Sequence, residues 1–280
     1  MTLDPIDLHH QGAPRVIASY LIETEDGLAL HDCGPSTCVD RLKAGLREQG
    51  LELADVRHLL LSHIHLDHAG AAGVLVRQHP QLQVHVSGIG APHLVDPSRL
   101  ERSARRLYGD TFDGLWGELA PVPEANVHVV GERVLGLACF PSPGHASHHV
   151  VYLAPDGTAY CGDAAGVRIQ PHELVLPPTP PPEFDFDAWL RTIDELERRA
   201  PRALALTHFG VAHDPRRHLD QLRSHLNAWT WIVMRGASQS EFEAEVRRGL
   251  ARTDDDYERA MPLWQSYAGL KRWTETREAA

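Results

Sequence analysis

Four metal-ligand side chains stand within six consecutive residues, His63-Ile64-His65-Leu66-Asp67-His68, separated only by Ser62 from the apolar run Leu59-Leu60-Leu61. Neutral imidazole and carboxylate are preferred donors for borderline divalent metals such as zinc. Just past a strand end, an H-x-H-x-D-H cluster suits a tight loop. Alternate residues then turn to one metal, while later ones reach a second ion a few ångströms away. A merely solvated histidine-rich loop is the weaker reading, because so dense a donor motif is rare by chance. Three further candidates sit where apolar strands end. His145 follows Phe140-Pro141-Ser142-Pro143-Gly144, Asp163 follows Tyr160-Cys161-Gly162, and His208 ends Ala203-Leu204-Ala205-Leu206-Thr207. Taken singly each is an ordinary residue; together with the cluster they supply enough donors for two ions.

The rest of the pattern supplies strands to carry these residues. Residues 16–22 and 28–31 flank the turn Glu25-Asp26-Gly27 as a hairpin, and 149–153 and 158–161 flank Pro155-Asp156-Gly157 as another. Single strands are expected at 59–61, 83–87, 126–130, 133–140 and 203–206. Helices are expected at 39–49, stopped by Gly50, and at 69–79, stopped by Pro80. Asp187 is expected to cap a helix running to residue 199. Residues 97–119 read as an arginine-rich helical excursion. Residues 176–182 hold five prolines and read as an ordered surface loop. From Pro215 the pattern is helical. Leu219, Leu222, Leu226, Trp229 and Val233 mark one face, Ser238 and Glu241 form a capping box, and 257–272 make a third helix. One internal echo stands out: residues 57–63 and 202–208 are each an arginine, an apolar strand, a hydroxyl residue (Ser62, Thr207) and a histidine. Two similar half-domains would explain it.

Charge narrows the partners. Lys plus Arg is 27 against 38 Asp plus Glu, a formal net charge of −11, so neither nucleic acid nor an anionic membrane is an expected partner. No apolar run has membrane-spanning length, and the acidic start, residues 1–8, does not read as a signal peptide. Cys33, Cys38, Cys139 and Cys161 are too sparse for a disulfide scaffold. They read as buried thiols in a cytoplasmic protein. Other histidines, such as His9, His10, His213 and His225, read as surface. His148 and His149, close after His145, are substrate contacts, supports behind the metal ligands, or ordinary strand-start residues.

With these residues in view, the chain resembles the metallo-β-lactamase-fold superfamily of metallohydrolases. The likeness spans about residues 16–210 and uses Asp32-x-Gly34, the His63–His68 motif, Gly144-His145, Gly162-Asp163 and Thr207-His208 in the family's order. It implies an α/β (α+β) fold, an αββα four-layer sandwich over 1–210, with a helical segment over 211–280 packed on it. It implies that His63, His65 and His145 hold one metal, that Asp67, His68 and His208 hold a second, and that Asp163 bridges them. Asp32 would orient ligands from behind. The implied cofactors are two divalent ions, zinc foremost, with manganese or iron as alternatives. Two such ions clamp a hydroxide and stabilise an oxyanion, so no protein nucleophile is required; Asp67 is the expected catalytic residue.

The superfamily hosts many chemistries, so fold alone does not give the substrate. The leading expectation is a dinuclear hydrolase of a small ester, lactone or thioester, in the glyoxalase II or lactonase-like branch. Against it stand a mononuclear iron persulfide dioxygenase, a metal-dependent nuclease and a metal-binding regulatory protein. The likeness to glyoxalase II is partial: Lys271 and Arg272 are available in a helical tail, without a matching glutathione-binding pattern. Lactonases use a tyrosine near the bridging aspartate, and residues 164–186 contain none; Tyr108 is an alternative. The excursion, the proline loop and the tail helices are expected to wall the pocket, and the tail to pack on the sandwich or build a homodimer.

Overall fold

A computed structural model describes residues 4–249 and 254–278; the first three residues of the acidic start lie outside them. Among the described residues, strands form two six-stranded sheets. The first runs in the order β1 (Ile6–Asp7), β2 (Ala18–Thr24), β3 (Gly27–His31), β4 (Val56–Leu60), β5 (Gln83–Val86) and β6 (Val127–Val129). Strands β1 to β3 are antiparallel and β3 to β6 parallel. The second contains β7 (Arg133–Val134), β8 (Leu137–Pro141), β9 (Val150–Leu153), β10 (Thr158–Gly162), β11 (Ala203–Leu206) and β12 (Gly210–Ala212). Only its β10–β11 pair is parallel.

Helices fill the connections: α1 (Val39–Glu48), α2 (Leu66–Ala69), α3 (Ala72–Gln78), α4 (Ala91–Val95), α5 (Ser98–Tyr108), α6 (Phe112–Trp116), α7 (Phe186–Arg199), α8 (Pro215–Met234), α9 (Gln239–Gly249), α10 (Asp254–Ala260) and α11 (Leu263–Glu278). Alternation along the strands sets the layers, because successive side chains point to opposite faces. Ala29 and Leu60 join the cluster between the sheets; Leu30 and Leu59 join the cluster under α1, α3 and α4. Trp189, Ile193 and Leu196 of α7 and Leu219, Leu222 and Leu226 of α8 cover the second sheet. The result is the expected αββα order.

The echo is visible in the topology. Hairpin β2–β3, helix α1 and parallel strand β4 repeat as hairpin β9–β10, helix α7 and parallel strand β11. Each half clamps the other. Tyr20 donates its buried hydroxyl to the Leu206 carbonyl (2.7 Å), and Tyr152 donates to that of Leu61 (2.9 Å). Ala18 N–H donates to Thr207 O and Val150 N–H to Ser62 O, both at 2.8 Å. Every acceptor lies one or two residues before a candidate donor histidine, so the two strand ends are fixed reciprocally.

Several expectations need correction. Residues 133–140 are two strands, not one: Leu135 and Gly136 take positive φ (51° and 87°) and make a tight hairpin. Asp185, not Asp187, caps α7, accepting the Ala188 N–H at 2.9 Å; Asp187 instead pairs with Arg277. The expected third tail helix is split, because Pro262 cannot continue α10. His10 is buried and stacks on Trp116, and His225 is half-buried with its Nδ1 donating to the Val175 carbonyl. The Ser238–Glu241 capping box is present, Glu241 Oε2 accepting Ser238 N–H (2.8 Å) and Ser238 Oγ accepting Glu241 N–H (3.3 Å). The apolar face of α8 is spent inside this chain, with Leu219, Leu222, Leu226 and Trp229 all buried. No described helix is long and apolar enough to cross a membrane.

Candidate metal centre

All seven predicted donors converge at one end of the sandwich. His63 and His65 follow β4, Asp163 follows β10 and His208 follows β11. His145 sits in the turn after β8, where Gly144 (φ 138°) lies so close to α7 that an added Cβ would overlap Trp189. Asp67 and His68 do not lie in a loop as expected: they form the first turn of α2, so the motif is half loop and half helix. The donor atoms fall into three groups, each within 4.8 Å: His63, His65 and His145; His63, His68 and Asp163; Asp67, His68 and His208.

Hydrogen bonds behind the cluster fix which nitrogen of each neutral imidazole faces it. The Nδ1–H of His208 donates to the Val16 carbonyl (2.5 Å) and that of His145 to the Pro178 carbonyl (2.8 Å). His68 Nδ1–H donates to Asp32 Oδ2 at 2.7 Å. Ser62 Oγ spends its proton on the same carboxylate (2.8 Å), so it accepts from His63 Nδ1 (3.0 Å). Four Nε2 lone pairs therefore point inward. His63 Nε2 and His145 Nε2 each lie 2.9 Å from His65 Nδ1. Asp163 divides its oxygens: Oδ2 is 3.2 Å from His145 Nε2, while Oδ1 is 3.4 Å from His68 Nε2 and 3.8 Å from His208 Nε2. Asp67 Oδ2 is 3.2 Å from His208 Nε2.

Such an arrangement calls for cations. His68 Nε2 and Asp163 Oδ1 are buried without a hydrogen-bond partner, and unpaired buried polar atoms are costly. Burial would raise the Asp163 carboxyl, but His68, His145 and His208 hold it well below the usual carboxylate range. Burial opposes charge on His68 and His208, yet carboxylates, Asp163 foremost, pull both imidazoles upward. His63 and His65 are pushed well down by burial and by neighbouring imidazoles. A buried set of five imidazoles and two carboxylates, with orphaned lone pairs facing each other, fits divalent metal ions.

Asp32 holds the scaffold from behind. It is fully buried, and its carboxylate accepts four bonds: from Ser62 N–H, Ser62 Oγ, Thr207 Oγ (2.8 Å each) and His68 Nδ1. Ser62 and Thr207 are the two hydroxyl residues of the echo, a role that the repeat marked without revealing its target. His149 Nε2 accepts the Asp163 N–H at 3.1 Å, while its Nδ1 donates to Ser142 Oγ at 2.7 Å. It fixes the backbone of a donor. His148 lines the opening, 3.6 Å from Glu183. All four cysteines are free and buried, and burial pushes the Cys38 and Cys139 thiols up to about 11 and 12.

A cavity of about 760 Å³ opens over the cluster, with His65, Asp67, His145 and Asp163 among its lining. Its walls come from α5 and α6, from Pro178–Pro182 and from the Ala260–Arg272 stretch. The excursion, proline loop and tail thus meet, although α8 takes no part. Cross-links hold them together. Gln265 Nε2 donates to the Tyr108 hydroxyl (3.1 Å), and Thr179 Oγ donates to the Ser266 carbonyl (2.9 Å). Gly269 lies against the proline loop where an added Cβ would overlap the Thr179 carbonyl oxygen. Sequence reading missed Arg99 and Arg106 as wall residues; the arginine-rich excursion was visible, but not which arginines face inward.

Known proteins share this architecture. The sequence model of the metallo-beta-lactamase superfamily matches residues 12–208. A probable metallo-hydrolase of Mycobacterium bovis is 25% identical over 198 residues, 57% of this chain and 63% of that protein. The chain thus spans less than two thirds of that curated relative's length. An uncharacterized protein of Bacillus subtilis is 24% identical over 222 residues, 72% of this chain and 87% of that one. A metallo-beta-lactamase family protein from Thermus thermophilus superposes with a TM-score of 0.70 at 20% identity, covering 98% of this chain and 93% of that one. An archaeal superfamily protein from Sulfolobus tokodaii gives 0.62 at 20% identity, covering 92% and 93%. At such identities the superpositions speak for the fold alone. With the family match running from residue 12 to the donor His208, the chain belongs to the metallo-beta-lactamase superfamily.

Proposed function

We propose that this protein is a metal-dependent hydrolase of a small ester, lactone or thioester, working with two divalent ions, zinc foremost. The observation that carries this is the division of Asp163, one oxygen toward His145 and the other toward His68 and His208. A carboxylate so placed supports a bridge between a His63, His65, His145 site and an Asp67, His68, His208 site. When bound, the ions supply an acidified water and polarise a substrate carbonyl. The chain's own residues do the rest. The Nδ1–H bonds to Val16, Pro178, Asp32 and Ser62 hold the imidazoles in their ligating tautomer. Asp67 differs from its neighbours: its side chain is 22% exposed while those of His68, His208 and Asp163 are buried. On this reading Asp67, which lines the cavity, is the group that takes a proton. Apolar wall residues, among them Leu100, Trp116 and Met261, suit an uncharged scissile region. On this reading the protein works in the reducing cytoplasm, where its buried thiols stay reduced.

The test is metal analysis of the isolated protein beside a panel of ester, lactone, thioester and phosphodiester substrates. Two ions per chain with hydrolysis of a carboxylic substrate are expected, and Asp163→Ala should lower occupancy of both sites. One iron per chain with oxygen uptake and no hydrolysis would overturn the proposal.

A further inference from the structure

We propose that the cavity selects substrates whose end remote from the scissile bond carries an anion, a carboxylate or a phosphate, held by Arg99, Arg106 and Arg272. This rests on the hydrolase reading above and names its substrate class. Arg99 and Arg106 stand seven residues apart on α5, two helical turns and about 10.5 Å along one face. Both line the cavity, as do Leu100, Ser103 and Ala104 between them. Arg272 reaches it from α11.

Neither Arg99 nor Arg106 has an acidic partner among the described residues, and Arg272 only donates Nε to the Pro182 carbonyl (3.3 Å). The contrast on the same helix is sharp: Arg105 is taken up by Glu101 and Asp113 and does not line the cavity. The carboxylates that line the cavity are engaged elsewhere. Asp67 and Asp163 face the histidine cluster, and Glu183 accepts Ser147 N–H (3.1 Å) and Ser147 Oγ–H (2.5 Å). Three arginines therefore line one cavity, none of them ion-paired with a carboxylate among the described residues, in a chain whose net charge is −11. Guanidinium forks match carboxylate and phosphate oxygens bidentately. An anion in the cavity supplies the partners that the fold withholds, and a neutral ligand leaves the arginines to water.

The test uses the metal-loaded full chain and ligands that differ only at the far end. Calorimetric binding of hexanoate, adipate and 6-phosphonohexanoate probes that end; two equivalent carboxylates give adipate a statistical factor of about two, and the arginine variant below separates far-end recognition from phosphonate binding at the metals. Adipate or the phosphonate is expected to bind about tenfold or more tighter than hexanoate at low salt, the scale of one charge-assisted contact. The two arms tell carboxylate from phosphate recognition. The advantage should shrink as salt screens it, and the R99A/R106A/R272A variant should lose it, while Arg→Lys replacements retain part of it. The salt series uses unmutated protein and so does not depend on the variant folding. Kinetics give a parallel measure: mono-4-nitrophenyl adipate should exceed 4-nitrophenyl hexanoate in kcat/KM, chiefly through KM. Equal binding of hexanoate, adipate and the phosphonate would overturn the inference even if both esters are hydrolysed. Failure to hydrolyse either ester, with arginine-dependent adipate binding intact, would sink the hydrolase reading and leave the anion site standing.

Discussion

Replacing Asp32 by asparagine keeps the shape of the side chain and removes the charge on which four hydrogen bonds converge. Oδ1 accepts one donor, Ser62 N–H; Oδ2 accepts three, from Ser62 Oγ, Thr207 Oγ and His68 Nδ1. An amide has one acceptor oxygen. If it faces the three donors, the amide NH₂ meets Ser62 N–H, donor against donor; if it flips, the NH₂ meets the other three. At least one buried donor is orphaned, at about 1–3 kcal/mol, and each remaining bond loses roughly 1 kcal/mol of charge assistance. The sum, on the order of 4–6 kcal/mol, is a large share of the ~5–15 kcal/mol that typically stabilises a domain. Urea unfolding of the metal-free protein, followed by tryptophan fluorescence, should show that loss. Because His68 also loses the carboxylate that aims its ring, metal affinity should fall about 10–100-fold. An Asp32→Asn protein with the parent's urea midpoint and metal content would refute the reasoning.

Asp67→Asn should lower kcat by ~10²–10⁴-fold, the range of general-base contributions; retained metal content alongside unchanged kcat would remove Asp67 from the chemistry. Tyr152→Phe strips the hydroxyl from the Leu61 carbonyl and should cost about 1–2 kcal/mol by thermal or urea unfolding. A loss of metal affinity should accompany it, because that carbonyl lies two residues before His63. His218 is buried, its Nε2 donating to Ala165 O at 2.7 Å, and burial lowers it to about 4. The unfolded chain then binds the extra proton first as pH falls, so its stabilising effect is complete above about 6.5 and shrinks toward 4, by about 2 kcal/mol at pH 5. His218→Gln should flatten that part of the pH–stability curve relative to the parent, and parallel curves would contradict the assignment.

The convergence of the candidate donors was legible because His63, His145, Asp163 and His208 sit where apolar strands stop, and strands announce themselves by composition. The helical character of Asp67 and His68 was not: His65, the N-cap of α2, makes no side-chain cap bond, so the first turn lacks the usual signature. The Leu135-Gly136 turn hides between apolar residues that read on as one strand. Two acids, Asp185 and Asp187, compete as the cap of α7, and only geometry chooses between them. The echo showed that Ser62 and Thr207 correspond, but not that both reach Asp32, since convergence on a third residue leaves no local pattern. Arg99, Arg106 and Arg272 belong together only in space.

The wall that α11 adds to the cavity is made after every candidate donor. The seventh donor, His208, precedes Arg272 by 64 residues, and translation at ~5–20 residues per second puts roughly 3–13 s between them. During synthesis the donor set is therefore complete while the side later walled by α11 is still open. A chain cut short in that interval would keep every donor but lack Gln265, Ser266 and Arg272. On the reading proposed above, such a chain could still take up metal but would lack the residues proposed to choose a substrate.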